Sequence, residues 1–108
     1  MAASARLRSA LIAAGALLLA APALADAIDG QWCSPDGTRA VTISGPRFMT
    51  GGVEATGDYT RHTFSYVVPE GAPDAGMPVD MRQLNEEEVL VAEGTADPEI
   101  WHRCKPIV

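Results

Sequence analysis

The chain has 108 residues, eight Lys/Arg against 14 Asp/Glu, a formal net charge of −6 and two cysteines. An acidic balance argues against nucleic acid or an anionic membrane surface as partner, because both need a basic footprint. The length admits one small domain and not two.

Arg6 and Arg8 precede an apolar run over 10–21, and Ala23-Leu24-Ala25 then supplies small residues of the kind that mark a cleavage site. The run is roughly a dozen residues, short of the ~20 that cross a bilayer as a helix, so residues 1–25 read as a signal peptide and no retained membrane anchor is expected. Cleavage is expected after Ala25, with Ala27 as the alternative; no cysteine follows either position, so no lipid anchor is expected. Residues 26–108 are then a single small β-barrel domain, periplasmic or secreted. Losing Arg6 and Arg8 leaves six basic residues against 14 acidic ones, a net charge of −8. That charge suits solubility or a basic protein partner. Exported cysteines meet an oxidising compartment, and an even count favours pairing, so Cys33 and Cys104 are expected to form a disulfide.

From Ile28 onward, short β-type segments alternate with Gly and Pro punctuation, and no window shows helical periodicity. The first strand covers 28–33, and Ser34-Pro35-Asp36-Gly37 is a turn. Segment 38–44 alternates, with Val41 and Ile43 on one face. Segment 47–50 follows, ended by Gly51-Gly52, and 53–59 is weaker because Gly57-Asp58 interrupts it. Segment 62–68 sets His62, Phe64, Tyr66 and Val68 on one face. Residues 69–78 are polar and rich in breakers and read as a loop. Strands resume at 79–84, 88–93 and 99–104. The fold class is all-β: a small antiparallel meander of about seven strands closing into a β-barrel or flattened sandwich. Joining the first strand to the last removes exposed edges, which favours closure.

Gly30-Gln31-Trp32 resembles the Gly-x-Trp signature of lipocalin-like barrels, in which the tryptophan plugs one end and a late arginine packs over it. The resemblance implies a structural plug of Gly30, Trp32, Trp101 and Arg103. Strand alternation lets both tryptophans and Arg103 face inward while both sulfurs face outward. Gly-x-Trp-Cys-Ser-Pro-Asp-Gly, with the terminal Trp-x-Arg-Cys, also looks like a group of small exported bacterial proteins of unassigned function. Size, compartment and acidity are similar to those of bacterial lysozyme inhibitors, although no stretch here matches their inhibitory loop.

Catalytic chemistry finds little footing. His62 and His102 have no nucleophile at a telling spacing, and no Gly-x-Ser-x-Gly elbow is present. There is no CxxC or HxxxH zinc pattern, no calcium loop and no phosphate-cradling glycine loop, so no metal and no cofactor are expected. Glu86-Glu87-Glu88 reads as a solvated turn. The densest polar and aromatic cluster is Tyr59, Arg61 and His62, and Asp74 and Met77 sit in the long loop, where binding residues concentrate. These five are the candidate binding residues. The expectation is a non-enzymatic binding module, a hydrolase or lysozyme inhibitor or a small-ligand binder, whose partner is a basic protein or a small apolar ligand. The alternative is a structural envelope or stress-resistance protein.

Overall fold

The computed structural model describes residues 27–105. The leader expected over 1–25 lies outside them. Nine strands follow in chain order: β1 Gly30–Cys33, β2 Ala40–Ser44, β3 Arg47–Thr50, β4 Val53–Thr56, β5 Asp58–Tyr59, β6 Thr63–Val67, β7 Pro78–Gln83, β8 Glu88–Glu93 and β9 Glu99–Arg103. They form one antiparallel sheet in the order β4-β3-β2-β1-β9-β8-β7-β6-β5, with no helix among the described residues. About seven strands are expected from the sequence and nine are present. Every apolar segment forms a strand, and 53–59 forms two.

That split explains how the sheet comes round on itself. The strands at the two ends of the sheet order, β4 and β5, are neighbours in sequence with only Gly57 between them. One extended segment thus pairs with β3 through its first half and with β6 through its second. Gly57 is pinched between these walls: its N–H donates to Pro46 O at 2.8 Å, and a Cβ there would lie 2.7 Å from Ser65 O and 2.8 Å from the Phe64 ring. No side chain fits, so the switch point requires glycine. The result is a nearly closed barrel.

The other closure joins the first strand to the last. β1 and β9 share only two register pairs, Trp32 with Arg103 and Cys33 with His102, extended by Cys104 N–H to Gln31 O at 3.1 Å. The neighbouring β8–β9 ladder has four. Cys33–Cys104 bridges this short seam with a Cα–Cα distance of 5.0 Å and a sequence separation of 71. Both cysteines lie on the alternation opposite to the inward Trp32 and Arg103, so the bridge crosses the outer wall.

Alternation fills the interior. β2 and β7 bury every second residue, placing Val41 and Ile43, then Val79 and Met81, inside. They pack with Ile28, Phe48, Phe64, Val89 and Val91 between the two tryptophans. Phe48 meets Phe64 edge-on at 5.5 Å between centroids and Tyr66 at 4.4 Å, the offset geometries that aromatic rings favour. Each fully buried side chain of this kind contributes about 1.5–3 kcal/mol. His62 departs from the face expected for it: Phe64, Tyr66 and Val68 are buried, whereas His62 is exposed. The reason is local, because Thr60 N–H donates to Thr63 O at 2.9 Å and leaves Arg61 and His62 as the two turn residues ahead of β6.

Turns carry the chemistry their sequences imply. Gly51 and Gly52 have φ of 56° and 79°, the pair of positive values a two-residue hairpin needs. The Asp36 carboxylate accepts from Ser34 Oγ at 2.7 Å, Thr38 N at 3.1 Å and Thr38 Oγ1 at 2.8 Å. Those bonds, that from the Thr38 amide foremost, lower its pKa to about 2. The loop before β7 is folded onto the barrel: Val68 N–H donates to Met77 O at 2.9 Å, Gly76 N–H to Val68 O at 2.8 Å, and Ala72 is buried.

Replacing both cysteines (Cys33→Ser with Cys104→Ser) removes the constraint on the unfolded chain and is expected to lower stability by roughly 4 kcal/mol, read from urea unfolding. A loss below about 1 kcal/mol would show that the seam holds without its bridge.

Candidate functional site at the barrel mouth

At each end of the barrel one arginine lies near a tryptophan ring, and the two ends differ in what that arginine meets. At the first end, Ala27-Ile28-Asp29 crosses the opening. Ile28 N–H donates to Arg61 O at 2.8 Å, and Trp32 Nε1–H donates to Ile28 O at 2.8 Å. The Arg103 guanidinium lies 3.9 Å from the Trp32 ring centroid. It donates to three carbonyls: Asp29 O at 2.5 Å, Ala27 O at 3.0 Å and Glu86 O at 2.9 Å. Burial lowers its pKa. The spacing Gly30-x-Trp32 acquires a physical reason here, because Gly30 has φ of 119° and a Cβ would sit 2.6 Å from Arg103 Nη1.

The Asp29 carboxylate completes this end, accepting from Tyr59 Oη at 2.5 Å and from Gly45 N at 2.8 Å. The hydrogen bond to Asp29 raises the Tyr59 pKa. Tyr59 and Arg61 are therefore part of the closure, with Gln83 N–H on His62 O at 2.8 Å beside them.

The second end is an open mouth. A cleft of about 110 Å³ is lined by Thr38, Arg39, Thr50, Gly51, Tyr66, Val68, Pro73, Asp74, Met77, Glu93 and Trp101, among others. Arg39 bonds the carboxylates of Glu93, at 3.1 Å, and Glu99, and its guanidinium stands 5.5 Å from the Trp101 ring centroid. Trp101 Nε1–H donates to Glu99 Oε1 at 3.0 Å. The loop supplies one wall: a Cβ on Gly51 would lie 2.9 Å from Pro73 Cδ and 3.0 Å from Ala72 Cβ. Gly51 thus lets the loop press onto the β3–β4 turn.

The charges at this mouth are unbalanced. Glu93 is only 13% exposed in its side chain. Its pKa is raised by burial, which outweighs the Arg39 charge, and Glu99, Asp74 and Asp36 raise it further. Tyr66 is pushed up to about 12, first by burial and then by Glu93. Four carboxylates thus act on the cleft against one guanidinium.

The five residues singled out from the sequence do not come together. Tyr59, Arg61 and His62 lie at the closed end, whereas Asp74 and Met77 line the mouth. Arg39, Tyr66, Glu93 and Trp101 complete the mouth and were not candidates as binding residues. Arg39 and Glu99 are 60 residues apart, a pairing that only strand register reveals. Trp101 is inside as alternation implies, but it is covered by Arg39, and Arg103 covers Trp32. His102 Nε2 lies 3.3 Å from Glu88 Oε2 on the outer wall, with 62% of its side chain exposed. Among the described residues no group of three or more His, Cys, Asp or Glu is placed to hold a metal ion.

No family model matches the sequence, and no curated protein or solved structure matches it.

Two consequences are measurable. Gly30→Ala is expected to lower stability by roughly 1–3 kcal/mol through its positive φ and the contact with Arg103; an unchanged unfolding midpoint would mean that Arg103 moves aside without loss. For Glu93 the folded pKa lies above the unfolded value, so protonation favours the folded state, and the cost of the ionised form is present above the folded pKa and fades as pH falls through it. Wild type is therefore expected to lose stability relative to Glu93→Gln as pH rises from about 4 to 7. A difference that stays flat between those pH values would refute the raised pKa.

Proposed function

We propose that this chain is a non-enzymatic binding module of an oxidising compartment, periplasmic or secreted, that engages a basic protein partner at the barrel mouth. One observation carries the reading: the barrel interior is filled by its own side chains. Trp32, Phe64, Val89, Val91 and Trp101 are all 1% exposed or less. Binding then falls to the surface, and the mouth is where aromatic and charged groups converge on a cleft. This weighs against a small apolar ligand held inside the barrel.

Charge selects the partner. Glu93 and Glu99 hold the single arginine of the mouth, Asp74 and Asp36 add charge that reaches Glu93, and a basic surface approaching them gains both steering and contact energy. The bridge between Cys33 and Cys104 is consistent with an oxidising environment. The loop over 68–77 is bound back to Val68 and pressed onto Gly51, which suits contact along a rim more than insertion into a partner's active site. Both histidines are exposed, and His102 pairs with a carboxylate on an open wall, an arrangement that favours binding over catalysis.

The test is capture from periplasmic and culture fractions by wild type and by Glu70→Lys with Asp74→Asn; asparagine tolerates the φ of 66° at position 74. The expected result is a stoichiometric basic protein cross-linked to residues 70–77, released by salt and reduced about tenfold or more in the variant. A partner retained equally by the variant, or none, would overturn the reading.

A further inference from the structure

We propose that the mouth cleft seats the charged end of one basic side chain, a lysine ammonium or an arginine guanidinium, between the carboxylates of Asp74 and Glu93 and the hydroxyl of Tyr66. The inference rests on the reading of the mouth as a surface for a basic partner and names the group that enters it.

Tyr66 provides an observation independent of charge. The residue is 8% exposed, its ring packed against Phe48 and Phe64, yet it lines the cleft. Its hydroxyl is in no hydrogen bond with the described residues. The oxygen is not among the buried unpartnered atoms, so it is the accessible tip of an otherwise buried side chain, free to take a partner from the cleft. The ring is held in the core and its oxygen borders a space of about 110 Å³, which is room for a few heavy atoms rather than a whole small molecule.

The surrounding groups select a cation. Arg39 is engaged by Glu93 and Glu99. Asp74 makes no ion pair with any described residue, and its main chain is fixed in the loop by Met77 N–H on Asp74 O at 3.1 Å. An incoming anion would meet Asp74 and Glu93 at close range. An incoming ammonium or guanidinium meets two carboxylates, accepts neither proton nor charge from them, and donates to the phenol oxygen. The aromatic walls of Tyr66 and Trp101 favour the same sign of charge.

The test uses the full chain, isotopically labelled, titrated with N-acetyl-lysine methylamide and with N-acetyl-arginine methylamide, each against the neutral N-acetyl-norleucine methylamide. Saturable shifts at the Trp101 indole and the Asp74 and Gly76 amides with either cationic probe, and not with the neutral one, are expected. The two cationic arms show which end group is preferred. Tyr66→Phe and Asp74→Asn, each confirmed folded by a dispersed spectrum and an unshifted urea midpoint, are expected to weaken that response about two- to tenfold. Equal shifts with the neutral probe, no saturation with either cation, or unchanged affinity in both folded variants would overturn the proposal. Capture of a basic partner without any probe response overturns the seat alone, and a probe response without a captured partner overturns the protein-partner reading alone.

Discussion

A sheet made of strands this short depends on its edges meeting. Here the first and last strands meet over only two register pairs, and the bond between Cys33 and Cys104 makes that meeting permanent. Everything inside follows from it. The same register sets Arg103 opposite Trp32, so closing the seam and covering the tryptophan are one event. At the far side of the barrel the chain itself is the link, because Gly57 lets one continuous segment serve two neighbours in turn. Exposed strand edges invite association, and the two devices together remove most of them.

The barrel ends show how one residue pair gives opposite properties. An arginine near a tryptophan ring is worth about 0.5–2 kcal/mol. Arg103 spends its donors on carbonyl oxygens, which carry no charge, and so its end is tied to the backbone and leaves Asp29 to satisfy Tyr59 and Gly45. Arg39 meets carboxylates instead. Those carboxylates outnumber it, and part of their charge is held in a poorly solvated position, as the raised pKa of Glu93 records. One end is thereby tied to the backbone, with Glu87, Asp29 and Glu86 acting on its arginine from a distance, while the other sets its carboxylates directly on the arginine beside buried aromatic groups.

What the sequence made legible was what depends on short range. The alternation in 38–44 and 62–68 identified the inward residues Val41, Ile43, Phe64 and Tyr66, and the even count of cysteines pointed to the bridge. The turn at Ser34–Gly37 was visible because its residues satisfy one another within a few positions. Register was not legible. Tyr59, Arg61 and His62 formed a suggestive cluster along the chain, yet Tyr59 is bound by Asp29, 30 residues away, and the segment belongs to the closed end. Asp74 and Met77 were recognised as loop residues, but their neighbours Arg39, Glu93 and Trp101 come from three other elements or turns whose mutual position only the ladder fixes. The break at Gly57 was visible as a glycine interruption, but its cause was not: the steric demand comes from Ser65 and Phe64, which share no local pattern with it.

The contact between Ala27 O and Arg103 Nη2 at 3.0 Å has a geometrical corollary. It brings the start of the described chain beside the end of its last strand, at the sealed end of the barrel. The first described residue and the end of the last strand therefore share one end of the barrel. The cleft formed by Arg39, Tyr66, Asp74 and Trp101 lies at the opposite end.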